Sequence, residues 1–508
     1  MKYDVIVVGA GSAGCALAAR LSENPDRSVL LVEAGPDYPD LDLLPDELKF
    51  GHGRDAEARG AAHNWSLTGT INATQGEIHV AQGKVIGGSG SINGQVFLRG
   101  LPEDFENWAA EGNDEWTYLD VLPYLRKMET DLDIRDDFHG SSGPVQILRR
   151  EKEPWPAIQT ALYQACKAEG FPETSDMNHP ESTGVGAIPM NNPNGVRLSA
   201  AITHLNPSRH RLNLTVKGNV LVRRVLFDGV RATGVEAESG GEIFTIEGQE
   251  IVLSAGSLKT PHLLMLSGVG PKDDLAALGI PLVRHLPGVG QNLRNHPSAS
   301  VGFRAKEGVT MPDDVQGVRI ALRFTSEGSP DRNDIMVMTN SRHVTLSGEP
   351  MPEGHVRISC ALELPYSSGE VRIVSADPAV QPQFNYHYLE HPRDRERLRD
   401  AIRLVLRLLE TNAYKDLIAE RVAPTDDDLK SDDALDQYLL RTVGTARHVS
   451  GTCKMGPAGD PMAVVNQRLQ VHGLEGIRCA DPSVLPNVTR ANTNVTAIMI
   501  GERVSDWI

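Results

Sequence analysis

The stretch Asp4-Val5-Ile6-Val7-Val8-Gly9-Ala10-Gly11-Ser12-Ala13-Gly14 restricts what the start of this chain can fold into. An apolar run of strand type ends in G-x-G-x-x-G and passes directly into Cys15-Ala16-Leu17-Ala18-Ala19-Arg20-Leu21, a helix pattern. A second apolar run, Ser28 to Val32, ends at Glu33, nineteen residues beyond Gly14. Strand, glycine turn, helix and acid in that order make a dinucleotide-binding βαβ unit. Gly9 permits the tight turn, Gly11 lets backbone approach a pyrophosphate at the helix N-terminus, and Gly14 lets helix and strand pack closely. Ser12, Ala13 and Ala34 border the same turn. Glu33 can accept hydrogen bonds from ribose hydroxyls and would repel a 2′-phosphate.

Bulk properties narrow the remaining classes. The 508 residues are enough for more than one core, and 40% hydrophobic with 23% charged residues is ordinary for a globular chain. A net charge of −17 gives no electrostatic footprint for nucleic acid or an anionic membrane. No apolar run reaches membrane-span length. Met1-Lys2 leads straight into the first strand, so no signal peptide is expected. Five scattered cysteines, Cys15, Cys166, Cys360, Cys453 and Cys479, suggest a reducing, cytoplasmic setting with no disulfide frame and no metal site.

The expected fold class is α/β: a Rossmann-like dinucleotide domain, discontinuous in sequence, with an inserted α+β domain on an antiparallel sheet. The first unit covers residues 3–34, and the polar segment Gly35 to Gly60 is too long for an ordinary connection, which suggests a covering loop. Trp116 to Met128 reads as a helix with Leu119, Leu122, Tyr124 and Leu125 on one side. Strand patterns follow at Leu212–Val216, Val220–Leu226, Gly234–Glu238 and Glu250–Leu253, then a helix at Leu258–Leu266. Residues 298–390 alternate as an antiparallel sheet would, and Arg393–Leu409 is an amphipathic helix. Strand, turn and helix return at the C-terminus. The expected division is 1–148, 206–295 and 440–508 for the dinucleotide domain, and 149–205 with 296–439 for the substrate-binding cap.

Four further motifs name a chemistry. The stretch Gly83 to Gly100, which contains Gly87-Gly88-Ser89-Gly90-Ser91-Ile92-Asn93-Gly94, is dense enough in small residues to lie flat against a planar ligand or a phosphate. The others are Gly256 to Gly270, Arg447-His448-Val449-Ser450-Gly451-Thr452-Cys453-Lys454-Met455-Gly456, and Arg478 to Pro486 running on to Asn492-Thr493-Asn494. With the opening βαβ unit, these motifs resemble, in order and across the whole chain, the glucose–methanol–choline (GMC) oxidoreductases, flavoenzymes that oxidise alcohols.

The resemblance implies FAD as cofactor. Gly9, Gly11, Gly14 and Glu33 would take its ADP half and Val222 would meet the adenine. Gly87, Gly88, Ser89, Asn93 and Gly94 would lie along the pyrophosphate and isoalloxazine. Asp481 would bond near the pyrophosphate and ribityl chain, and Asn494 with the following helix N-terminus would face the pyrimidine end of the flavin. Some members link FAD covalently through a histidine just before the asparagine of the glycine loop; Ile92 stands there, so non-covalent FAD is expected. His448 corresponds to the family's catalytic base over flavin N5, and Asn492 to the partner that orients the alcohol, with Asn494 the other candidate for that role. Arg447 departs from the family pattern: it either meets a substrate carboxylate or points away to one of the chain's acids, and its charge would lower the pKa of His448. His262 and His296 read as structural, the latter as architecture near the domain junction, where Asn295 stands in place of the usual acid. Glu363 takes the place where a related photodecarboxylase has a functional cysteine. The implied activity is oxidation of a small or medium polar alcohol (aryl or furanic alcohol, sugar or glycoside, or hydroxy acid), with oxygen or another redox partner as acceptor. The alternative is a hydroxynitrile lyase on the same fold, with structural FAD.

Overall fold

The computed structural model describes residues 2–51, 55–150, 155–309, 319–340, 352 and 354–508. Strand Lys2–Val8 lies in parallel between Val29–Val32 and the end of Glu242–Leu253. Leu214–Lys217 and Ile477–Cys479 extend this sheet on its two sides, also in parallel. Val5–Val8, Val29–Val32 and Ile251–Leu253 are buried along their whole length, as parallel strands covered on both faces must be. Helix Ser12–Leu21 packs on helix Thr493–Val504, where a Cβ at Gly501 would fall 2.3 Å from the Ala13 carbonyl oxygen. The C-terminal helix is thereby held beside the N-terminal glycine turn.

The first half of Glu242–Leu253 leaves the parallel sheet and forms an antiparallel meander with Arg231–Ser239 and Leu221–Asp228. The first half of Glu242–Leu253, which lies outside the strand patterns read from the sequence, is largely exposed, including its apolar Ile243 and Phe244. A second sheet has the order Ile418–Ala423, Pro297–Ala305, His355–Leu362, Ile335–Asn340, Ile320–Phe324, Gly184–Ala187, antiparallel throughout. Helix Pro392–Glu410 covers it with Leu398, Ile402, Val405 and Leu408 buried. Gly444–Thr445 pairs with Pro297–Ser298, which carries the chain from the sheet back to the dinucleotide fold. A small third sheet joins Leu67–Thr70 and Glu77–Val80 to Gln383–Asn385 and Glu370–Arg372.

Two readings need adjustment. The helix Tyr118–Lys127 buries Tyr118, Val121 and Leu125, spaced three and four apart, and leaves Leu119 75% exposed. The segment after Gly35 is not featureless: it holds short helical turns at Leu41–Leu43, Asp46–Lys49 and Asp55–Glu57, with residues 52–54 outside the described residues.

The glycine loop is anchored by a buried ionic cluster. Arg99, just beyond that loop, pairs with Glu129. His139 Nδ1 lies 3.0 Å from Glu129 and 3.0 Å from Asp131, and its Nε2 lies 2.9 Å from Asp176. Arg149 bridges Asp131 and Asp176. Three carboxylates face two guanidiniums and one imidazole, so His139 must be a cation for the cluster to be neutral. Although burial opposes that charge, the bonds to Asp131, Asp176 and Glu129 prevail and raise its pKa to about 10. As a cation, His139 carries a hydrogen on each ring nitrogen and offers no lone pair to a metal ion. His139→Leu is expected to cost roughly 3–5 kcal/mol in urea unfolding, because it strands buried carboxylates. A histidine with a raised folded pKa contributes fully below its ordinary value of about 6.5. The gap between wild type and variant should therefore shrink as pH rises from there towards about 10.

Candidate active site

A cavity of about 400 Å³ runs between the two glycine loops and the antiparallel sheet. Of the residues singled out in the sequence, Gly9, Gly11, Ser12, Ala13, Glu33, Ala34, Gly88, Ser89, Asn93, Gly94, Val222, Arg447, His448, Asp481, Asn492 and Asn494 all line it. Gly14 and Gly87 sit behind its wall for packing reasons. A Cβ on Gly14 would fall 2.0 Å from the Gly9 carbonyl oxygen, and Gly87 has φ +97°. Gly11 is different. Its φ of −74° suits any residue, and the nearest atom to a Cβ there is 3.9 Å away, so the missing side chain leaves space only on the cavity side. Gly88 comes close to it: a Cβ on Gly88 would fall 2.7 Å from the Gly11 Cα.

The polar groups along this cavity suit a dinucleotide. Glu33 accepts backbone N–H bonds from Ala10 (3.0 Å) and Gly35 (2.9 Å), and burial pushes its pKa up to about 7. Each carboxyl oxygen keeps a lone pair for a ribose hydroxyl. Asp481 accepts from Gly256 N, Thr260 Oγ and Ser483 N, so it ties its own turn to the Gly256–Thr260 turn at the cavity wall. Asn494 Oδ1 accepts from Ser12 Oγ at 2.6 Å, linking the C-terminal helix to the first glycine turn. The N-terminus of that twelve-residue helix, at Thr493, opens on the cavity and presents the positive end of its dipole. Ile92, whose side chain has no nucleophile, lines the cavity.

At the sheet end, His448 Nε2 is 2.9 Å from Asn492 Nδ2, and His448 Nδ1 is 2.8 Å from His296 Nδ1. His296 Nε2 is 3.0 Å from the Thr489 carbonyl oxygen. That carbonyl can only accept, so His296 carries its proton on Nε2 and, being neutral, accepts at Nδ1. His448 must then donate from Nδ1, which leaves its Nε2 as an acceptor facing Asn492 N–H. Burial and the neighbouring Arg447 charge lower the His448 pKa to about 4, and burial with His448 lowers that of His296 well below the usual range. His448 is therefore neutral at physiological pH. Asn295 holds the backbones of both histidines: its Oδ1 accepts from His296 N (2.8 Å) and His448 N (2.7 Å), while its Nδ2 donates to Thr445 Oγ at 2.7 Å. A structural reading of His296 is thus too modest, since it sets the tautomer of His448.

Arg447 lines the cavity and ion-pairs with Glu57, another lining residue. Of the two alternatives from the sequence, the structure shows the guanidinium held by an acid of the chain, in a residue that lines the cavity. Its backbone has φ +67°, with its N–H bonded to Thr445 Oγ. His262, read as structural, also lines the cavity, with its pKa lowered to about 3 by burial and Lys259. Sequence reasoning misses Glu57 and Trp65 as cavity residues because each stands alone, outside any motif.

This geometry agrees with what the chain resembles. The GMC oxidoreductase family models match residues 3–298 and 365–501. The chain is 35% identical over 531 aligned positions to an oxygen-dependent choline dehydrogenase of Vibrio vulnificus, covering 100% of this chain and 94% of that protein. A GMC-type oxidoreductase of Rhodococcus erythropolis is 34% identical, covering 99% and 97%. Among solved structures, pyridoxine 4-oxidase from Mesorbium loti superposes with a TM-score of 0.91 at 29% identity, over 99% of each chain. A formate oxidase superposes with a TM-score of 0.90 at 25% identity, over 99% and 97%. The fold and site define an FAD-dependent oxidoreductase. The chain belongs to the GMC oxidoreductase family.

Because the Gly11 side-chain space is needed only by a ligand, Gly11→Val should leave the fold intact and abolish flavin retention. The check is flavin absorbance per mole of purified protein alongside circular dichroism. A yellow variant would contradict the placement of the dinucleotide.

Proposed function

We propose that the protein oxidises the CH–OH group of a small or medium polar alcohol, with His448 as base and Asn492 as orienting partner. The observation that carries this reading is the pairing of an imidazole acceptor with an amide donor, 2.9 Å apart, on the cavity wall, a contact that a substrate hydroxyl can replace. A hydroxyl satisfies both: its O–H donates to His448 Nε2 while its oxygen accepts from Asn492 Nδ2. Bound FAD would supply the two-electron acceptor for the carbinol hydride. His448 would hold the hydroxyl proton at Nε2, and Asn492 would keep the oxygen fixed without competing for that proton.

The proposed cofactor residues are the glycines, Glu33, Val222, Asp481 and Asn494 described above. The proposed cap is the part of the chain around the antiparallel sheet, residues 149–205 and 296–439. Its contribution to the cavity includes Ser298, Met338, Ser359 and Ala361. Ser298 stands opposite Ala361 and Met338 opposite Ser359, so all four belong to one face of the sheet. A wall of uncharged, mostly small side chains favours a neutral substrate, an aryl or furanic alcohol ahead of a quaternary ammonium alcohol. A hydroxy acid would have to compete with Glu57 for Arg447. Relatives named for choline and pyridoxine support a hydroxyl-bearing substrate in general. Oxygen or another redox partner would accept the electrons, and a cytoplasmic location fits the free, buried cysteines. Among the described residues, no helix is long and apolar enough to cross a membrane.

The test is anaerobic addition of aryl, furanic and sugar alcohols, hydroxy acids and cyanohydrins to the yellow holoprotein. Bleaching by an alcohol is expected. A flavin that no alcohol reduces, in a protein that cleaves a cyanohydrin, would support the lyase instead. His448→Ala should slow bleaching by about 10²–10⁴-fold with FAD retained. Asn492→Ala should slow it by roughly 10–100-fold through lost alignment.

A further inference from the structure

Behind the catalytic pair lies an acid that this reading leaves without a task. Glu363, just beyond strand His355–Leu362, is 1% exposed. Neither of its carboxyl oxygens has a hydrogen-bond partner among the described residues. Its Oε2 lies 3.5 Å from His296 Nδ1, the same nitrogen that accepts from His448. An unsatisfied carboxyl at this depth costs stability and calls for an explanation.

We propose that Glu363 is a positioning residue that sets the basicity of His448 through His296, so that its ionisation switches the protein from a slower to a faster form. This rests on His448 being the base. When the alcohol O–H bond breaks, its electron pair stays on the oxygen and its proton joins His448 Nε2. The Nδ1 proton of His448 is then drawn along the 2.8 Å bond towards His296 Nδ1. The new positive charge is shared by two imidazoles, and His296 remains bonded to Thr489 through Nε2–H. An ionised Glu363 facing His296 Nδ1 stabilises that charge in a site without water-like screening; a neutral Glu363 does not.

The surroundings place this ionisation in an accessible range. Desolvation raises the Glu363 pKa, Arg323 and Arg490 pull it down, and Asp104 pushes it up, with the result at about 8. Arg490 is committed to Asp104 at 2.7 Å, while Arg323 is fully buried and donates to the Met177 and Arg490 carbonyls. The remaining charged groups at this end of the sheet are occupied elsewhere: Arg397 joins Asp334 and Asp394, and Arg332 joins Glu103. Arg323 is therefore the cation that a Glu363 carboxylate would balance. Below about pH 8 the acid is neutral and His448 is at its weakest; above it the carboxylate strengthens the base, so the rate rises with pH.

Glu363→Gln mimics the neutral acid at every pH. The experiment compares wild-type and E363Q holoprotein in two ways. The first is the anaerobic rate of flavin bleaching by benzyl alcohol and by pyridoxine across pH. The second is the pH titration of ¹⁵N-labelled histidine signals, with His448→Ala used for assignment. Wild type should show a rise in rate and a histidine shift, both centred near pH 8. E363Q should lack both and stay at the low-pH rate, roughly tenfold below the wild-type upper plateau. Glu363→Asp, which keeps a carboxylate, should retain a step and serves if E363Q fails to fold. A step that survives in E363Q, or a uniform loss at all pH with the step unchanged, overturns the proposal. If neither alcohol bleaches the wild type, the alcohol reading is in doubt, and the histidine titration alone still decides the role of Glu363.

Discussion

One backbone carbonyl, that of Thr489, orders the protons of the site. It compels His296 to carry hydrogen on Nε2, which makes His296 Nδ1 an acceptor and His448 Nδ1 a donor. His448 Nε2 is then the ring position left without hydrogen, and it is the one that meets Asn492 and the cavity. A different partner for His296 would leave His448 free to choose the other tautomer, with a donor pointed where an acceptor is required. The proposed base is thus held in its acceptor form by this hydrogen-bond chain, and burial together with the Arg447 charge keeps it unprotonated.

That chain depends on long-range folding. His296 immediately precedes strand Pro297–Ala305 of the antiparallel sheet, while Asn492 precedes the last long helix of the dinucleotide fold. Asn295 ties the backbones of the two histidines together, and Gly444–Thr445 holds the connection by pairing with Pro297–Ser298. On the cofactor side, Ser12 and Asn494 are 482 residues apart and share a 2.6 Å bond. Beginning and end of the chain therefore enclose the cavity, and the middle supplies its neutral wall.

What can be read in the sequence follows from this. The parallel core is legible because strands covered on both faces must be continuously apolar, and the glycine turns because close backbone contact excludes a Cβ. His448 and Asn492 are legible because each stands inside a motif. The tasks of His296 and Glu363 are not, since the meaning of a lone buried histidine or acid lies in a neighbour far along the chain, as the 152-residue separation of His296 from His448 illustrates. Arg447 can be placed near the site, but its pairing with Glu57, 390 residues earlier, has no local signature. Helix Tyr118–Lys127 shows a finer limit at Leu119, where an apolar residue one position off the buried stripe lies open to solvent.

The most direct measurement is the tautomer of His448 in the holoprotein at neutral pH, read from the ¹⁵N shifts of its two ring nitrogens. A protonated Nδ1 coupled across a hydrogen bond to His296 Nδ1, with an unprotonated Nε2, is the expected result. A protonated Nε2, whether as the other tautomer or as an imidazolium, would leave no site for the alcohol proton and would contradict the assignment of His448 as the base.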